Sequence, residues 1–136
     1  MNKAKRSKQR EAILEMLQGV KTHPTADKVY EEVRKTIPNI SLGTVYRNLA
    51  KLSDESMIQK VGMGTGVEHF DGNPFPHYHV VCNECGVIDD IEAEPLKSFN
   101  EWASQMFKGE IYKHSAVFFG KCVKCKNKII PEEEKL

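Results

Sequence analysis

The chain has 136 residues, with 20 Lys and Arg against 19 Asp and Glu, for a formal net charge of +1. That length allows one ordinary domain, or two small ones if something staples them. No run approaches the roughly 20 apolar residues of a membrane-spanning helix, which excludes that class. With no signal peptide in view, a cytoplasmic protein with reduced thiols is expected. The charge is unevenly spread: residues 1–64 carry 12 basic and 7 acidic groups, net +5, while residues 65–136 carry 8 and 12, net −4. This asymmetry points to an N-terminal part that meets a polyanion and a C-terminal part that does not.

Half of the first ten residues are basic: Lys3, Lys5, Arg6, Lys8 and Arg10. Residues 7–18 follow as a helix of about three turns, with Ile13, Leu14 and Leu17 on one face and Gly19 ending it. His23-Pro24-Thr25 is a break, and Thr25 suits the N-cap of a second helix in which Ala26, Val29, Tyr30, Val33 and Ile37 recur at helical spacing. Pro38-Asn39 stops it. Ser41 is a second N-cap, and Val45, Leu49 and Leu52 predict a third helix over residues 42–53. Strands over 57–61 and 67–71, joined by the Gly-rich 62–66 with Met63 at its tip, complete the pattern of a winged helix-turn-helix domain.

Gly72-Asn73-Pro74-Phe75-Pro76 is the best linker in the chain. The division expected is therefore a winged-helix domain at 1–72, a linker at 73–76 and a dimerisation and metal-binding domain at 77–136. In the last, strands over 78–83 and 87–92 flank a Cys-x-x-Cys-Gly turn. Residues 95–107 read as an amphipathic helix with Leu96, Phe99, Trp102, Ala103 and Met106 inward. A long strand covers 110–120, and the acidic tail 131–136 reads as loose. The exposed strand edges and many aromatics of this half predict dimerisation. The fold class expected is α+β.

The four cysteines form two Cys-x-x-Cys pairs, Cys82/Cys85 and Cys122/Cys125. Each such turn aims two thiolates at one ion, and two turns complete a tetrahedral zinc site. A thioredoxin-type redox motif would be a single pair beside a βαβ pattern, which is missing here. His77-Tyr78-His79 lies immediately before Cys82, so a nitrogen- and oxygen-rich metal site is expected close to the sulfur-rich one.

Arg6-Ser7-Lys8-Gln9-Arg10, His23-Pro24-Thr25-Ala26-Asp27, Ser41-Leu42-Gly43-Thr44-Val45-Tyr46-Arg47-Asn48-Leu49, His77-Tyr78-His79, Cys82-x-x-Cys85-Gly86 and Cys122-x-x-Cys125 occur in this order. Together they resemble the Fur family (ferric uptake regulator) of bacterial repressors over nearly the whole chain. The resemblance implies a homodimer, an N-terminal winged helix, a small α/β C-terminal dimerisation domain with structural Zn²⁺, and a metal-gated grip on a palindromic double-stranded DNA operator. It implies no membrane partner, and no small-molecule ligand beyond the metal ion and, for a peroxide sensor, peroxide.

By residue-for-residue match, the regulatory metal ligands implied are His23, Asp71, His77, His79 and Asp90. Three imidazoles and two carboxylates without a thiolate suit Fe²⁺ or Mn²⁺, although Co²⁺, Ni²⁺ or Zn²⁺ would also fit. In the third helix, Tyr46 can meet a thymine methyl and Arg47 can take guanine as a bidentate pair. Ser41, Thr44 and Asn48 suit phosphate or base edges, and Lys51 and Arg10 suit phosphate.

Iron-sensing members usually carry glutamate at one of the two carboxylate positions. The PerR-like peroxide sensors carry aspartate at both, as this chain does. The resemblance therefore implies a repressor of peroxide-stress genes, with His23 and His77 the histidines open to iron-dependent oxidation. An iron- or manganese-uptake repressor is the alternative, and a metalloenzyme using the His/Asp set is a distant third. Two departures stand out. Many relatives have an additional helix before the Arg-x-x-Gln-Arg motif. The His-His-Asp-His run that forms a further site in many iron sensors is Pro76-His77-Tyr78-His79 here, which leaves His114 without those partners.

Overall fold

The computed structural model describes residues 3–62 and 67–128. The expected wing tip, with Met63, Gly64 and Gly66, and the acidic tail 131–136 lie outside the described residues. The chain divides into two compact units, with the division between Phe75 and Pro76.

The first unit runs α1 (Lys3–Gln18), α2 (Ala26–Val33), α3 (Leu42–Asp54), β1 (Gln59–Gly62) and β2 (Glu68–Asp71). The first helix is longer than its apolar stripe suggests. Ala, Lys, Arg and Gln lose little side-chain freedom in a helix, so the basic segment joins it as an N-terminal turn instead of fraying. Thr25 caps α2 by accepting the Lys28 N–H at 3.3 Å, and Ser41 caps α3 by accepting the Thr44 N–H at 3.1 Å.

The second helix ends at Val33, not Ile37. The Lys35 N–H donates to Glu32 O at 3.3 Å and the Thr36 N–H to Val33 O at 3.1 Å, so the chain tightens into turns there. Pro38 disfavours helical geometry in the residue before it. Ile37 still packs against the core, which is why it appeared in the helical pattern.

That core joins Ile13 and Leu17 of α1, Val29 and Val33 of α2, and Val45, Leu49 and Leu52 of α3, with Ile58 and Phe70 from the hairpin side. Each of these burials stabilises the unit by about 1.5–3 kcal/mol. The strands β1 and β2 pair antiparallel, with Gln59 opposite Asp71 and Val61 opposite His69. A Cβ on Gly72 would stand 2.5 Å from the Leu17 carbonyl oxygen, so only glycine lets β2 leave past the end of α1.

The second unit holds β3 (Tyr78–Cys82), β4 (Ile88–Ile91), α4 (Lys97–Met106), β5 (Val117–Gly120) and α5 (Val123–Lys126). Its sheet has the order β4-β3-β5, with β4 antiparallel and β5 parallel to β3. Gly86, at φ +79°, closes the turn between β3 and β4, where a side chain would be strained.

Two expectations change here. Only residues 117–120 of the expected 110–120 strand join the sheet; 110–116 has no ladder. The face of α4 expected to point inward is not covered by its own chain: Leu96, Phe99, Trp102 and Met106 are 44–75% exposed. The three-stranded sheet buries Tyr78, Cys82 and Ile88 but leaves Phe118 and Phe119 exposed as well. An apolar surface of this extent marks an interaction face.

Candidate metal centres and nucleic-acid interface

Cys82 ends β3 and Cys85 lies in the following turn, while Cys122 precedes α5 and Cys125 lies within it. The parallel pairing of β5 with β3, continued by the Asn83 N–H donating to Gly120 O at 2.8 Å, delivers the second pair to the first. All four sulfurs lie within 4.8 Å of one another, and Cys85 Sγ is 3.7 Å from Cys122 Sγ. A tetrahedron with Zn–S bonds of about 2.3 Å has sulfur–sulfur edges of roughly 3.8 Å. The cluster therefore fits structural Zn²⁺.

The metal-free thiols are poised unequally. Backbone N–H groups of Cys122 and Cys85 favour the Cys82 thiolate and lower its pKa to about 6. Burial, then the neighbouring sulfurs, pushes Cys125 up to about 12. At Cys85 the Val87 N–H favours the thiolate, but the Cys82 sulfur, burial and the Cys122 sulfur outweigh it, and the thiol is raised. An ion pair, Lys121 Nζ to Glu84 Oε1 at 3.0 Å, spans the residues just before Cys122 and Cys85.

The nitrogen and oxygen donors form two preassembled groups, one in each unit. In the first, His23 Nε2 stands 3.3 Å from Asp71 Oδ2, with side chains 2% and 8% exposed. His23 has φ +53°, a left-handed conformation that costs a non-glycine residue of order 1–3 kcal/mol. Proline at position 24 disfavours the helical alternative, and β2 holds the segment. The Phe70 N–H donates to Pro24 O at 2.9 Å, Thr25 bridges His69, and His69 Nδ1 lies 2.7 Å from His23 O. The Asn73 N–H donates to Asp71 Oδ1 at 2.9 Å, which orients that carboxylate.

In the second unit, His79 lies opposite Asp90 across β3 and β4. Strand alternation puts His77 beside His79, with ring centroids 4.4 Å apart. Asp90 Oδ1 is 3.0 Å from His77 Nε2 and 3.3 Å from His79 Nε2. Asp89 pairs with Val80 instead and is exposed, away from the imidazoles. Imidazole and carboxylate donors of this kind fit a regulatory Fe²⁺ or Mn²⁺ ion.

Along α3, Tyr46, Arg47 and Lys51 are exposed. Ser41 and Thr44 are engaged within the helix. Thr44 is buried, its Oγ1 accepts from Arg47 Nη2 at 3.0 Å, and its carbonyl accepts from Asn48 Nδ2 at 2.9 Å. Thr44 thus holds the Arg47 guanidinium instead of presenting a free hydroxyl. Arg10 is ion-paired with Glu55, whose carboxyl it holds below the usual range.

His114 is structurally engaged. Its Nε2 meets the Tyr78 hydroxyl, its Nδ1 lies 2.7 Å from Asn100 Oδ1, and the Leu96 N–H donates to Tyr78 OH at 3.0 Å. Sequence reasoning missed this chain of bonds and missed His69. The only signal for His69 was its place two residues before Asp71 on the same strand.

The model of the Ferric uptake regulator family matches residues 1–119. The chain belongs to this family. Over 120 residues it is 35% identical to the peroxide-responsive repressor PerR of Staphylococcus aureus (strain USA300), covering 88% of this chain and 81% of that protein. The solved structure of the Campylobacter jejuni peroxide stress regulator superposes with a TM-score of 0.76 at 29% identity, over 90% of this chain and 92% of that one. The Helicobacter pylori ferric uptake regulator Fur gives a TM-score of 0.75 at 22% identity, over 89% and 81%, and speaks for the fold alone. The protein is a metalloregulator of this family and not an enzyme. No described helix is long and apolar enough to cross a membrane.

Proposed function

We propose that this protein is a cytoplasmic, homodimeric DNA-binding repressor of peroxide-stress genes. It is held in its DNA-competent form by a regulatory metal and released when a ligand histidine is oxidised. The observation that carries the peroxide reading is aspartate at both carboxylate positions, Asp71 and Asp90, in a chain that resembles peroxide-responsive repressors more than a third of the way in identity.

One ion taken by His23, Asp71, His77, His79 and Asp90 would tie the two units to each other. That would select one spacing of the two α3 helices in the dimer, and by linkage operator DNA would tighten metal binding equally. Ferrous iron, when bound, supplies the electrons that cleave peroxide reductively. His23 and His77 are the imidazoles exposed to that chemistry. An oxidised imidazole is a poor ligand, so the donor set would no longer hold its ion.

The +5 charge of residues 1–64 and the exposed Tyr46, Arg47 and Lys51 support a palindromic DNA operator as the partner. The uncovered apolar face of α4 and β5 supports a second copy of the chain.

The test is mass spectrometry after a brief peroxide pulse, comparing Fe²⁺-loaded with Mn²⁺-loaded protein. A one-oxygen gain on peptides carrying His23 or His77, with iron only, is the expected result. No gain on either would move the reading to an iron- or manganese-uptake repressor with the same fold and the same zinc.

A further inference from the structure

We propose that His69 is the positioning residue for His23, and that its ring N–H is what keeps the His23 imidazole aimed as a metal donor. The inference rests on the proposed ligand role of His23. A carbonyl oxygen can only accept, so the 2.7 Å contact from His69 Nδ1 to His23 O requires hydrogen on Nδ1. That bond spans 46 residues and closes on a residue at φ +53°, which would otherwise relax away from the left-handed region. Position 23 cannot gain this freedom by becoming glycine without losing the imidazole, so the strain must be held from outside.

The strand geometry makes His69 suited to this. It lies two residues before Asp71, so both side chains leave β2 on the same face. One end of that face holds the carboxylate that meets His23 Nε2 at 3.3 Å; the other holds the His23 main chain. His23 is thus fixed at both its ring and its carbonyl by a single strand. The neighbouring bonds, Phe70 N–H to Pro24 O and the Thr25–His69 bridge, hold the backbone path just after His23, and His69 Nδ1 meets the His23 carbonyl itself. Outer partners that orient a ligand in this way typically carry 10–100-fold in metal affinity.

The experiment compares wild type, His69→Leu and His69→Asn, the last keeping an N–H near the Nδ1 position. Mn²⁺ titration of the zinc-replete protein should show affinity about tenfold weaker in His69→Leu, with near wild-type affinity in His69→Asn. Zinc content should match wild type in both. After an iron-and-peroxide pulse, the share of oxidation on His23 relative to His77 should fall in His69→Leu. Ring-nitrogen NMR of the metal-free wild type should show Nδ1 of His69 protonated. Unchanged Mn²⁺ affinity in His69→Leu, equal losses in both variants, or an unprotonated Nδ1 would each overturn the inference. A wild type that takes up no Mn²⁺ beyond its zinc would instead defeat the regulatory-site reading, and this inference with it.

Discussion

His23 and Asp71 face one another at 3.3 Å with both side chains nearly sealed from solvent. They are 48 positions apart in sequence, and the same carboxylate also accepts the Asn73 N–H. A buried carboxylate is costly unless paired, and here imidazole and amide both serve it. Asp71→Asn keeps the shape and an acceptor for Asn73 but removes the charge. The expected outcome is loss of regulatory metal by more than about 100-fold, beyond the cost of losing an outer partner, with zinc retained. Mn²⁺ titration beside zinc analysis checks this; unchanged Mn²⁺ binding would remove Asp71 from the ligand set.

Asp90 serves His77 and His79 with one oxygen, at 3.0 and 3.3 Å. If the shorter aspartate would leave a coordination position open to peroxide, the extra methylene of glutamate would let its carboxylate reach further and close it. Asp90→Glu should therefore keep metal-dependent DNA binding while slowing histidine oxidation. The rate of oxygen incorporation in iron-loaded protein decides it, and an unchanged rate would sink the idea.

Zinc uptake should release protons. Cys85 and Cys125 are raised above the ordinary thiol range and hold their protons at neutral pH, so binding displaces at least those two. Apparent zinc affinity should then fall by at least about 100-fold per unit drop in pH near neutrality, and more steeply below about 6, where Cys82 also takes up a proton. In the metal-free protein the depressed Cys82 adds stability that is fully present above the unfolded thiol pKa. That stability is lost as the pH falls through about 6. Calorimetric titration in buffers of different ionisation heat counts the protons, and fewer than two would refute the assignment.

Thr44 accepts from Arg47 at 3.0 Å, so the guanidinium proposed to read DNA is already held on α3. Arg47→Ala should cost about 1–3 kcal/mol in operator affinity and relax specificity at one base pair. Thr44→Val, which frees Arg47 without removing it, should cost less, under about tenfold. Lys51→Ala should weaken all sequences alike and lower the salt slope by about 1. Binding measured across operator variants and salt concentrations separates these; a uniform loss for Arg47→Ala would make it a phosphate contact.

Trp102 on α4 is 62% exposed in the single chain, close in sequence to the exposed Phe99 and Met106. Trp102→Glu should shift the protein from dimer to monomer in sedimentation while zinc content stays at one per chain. A dimer that persists would place the subunit interface elsewhere.

Much of the first unit was legible because its signals are local. Thr25 and Ser41 cap the helices they were expected to cap, and the apolar spacing of Val45, Leu49 and Leu52 found α3 to within one residue. The second helix was overextended because Ile37 packs on the core from outside the helix, and periodicity cannot tell a helical position from a turn beyond it. The apolar face of α4 was misplaced for a related reason. An amphipathic pattern shows that a face seeks cover but does not say whether the same chain supplies it.

By itself the sequence determined the chemistry on offer. Two Cys-x-x-Cys turns bring sulfur atoms together in pairs through geometry only three residues long, and the two-residue spacing at the start of β3 sets His77, just before the strand, beside His79. The tertiary structure decided which of these groups meet. The parallel docking of β5 on β3 joins Cys122 and Cys125 to Cys82 and Cys85. The return of β2 places Asp71 against the ring of His23 and His69 against its carbonyl. Periods and caps depend on neighbours within a turn or two, whereas these meetings depend on where a strand comes to rest after forty or more residues. That resting place is set by burial of the whole core and is not encoded in any one motif.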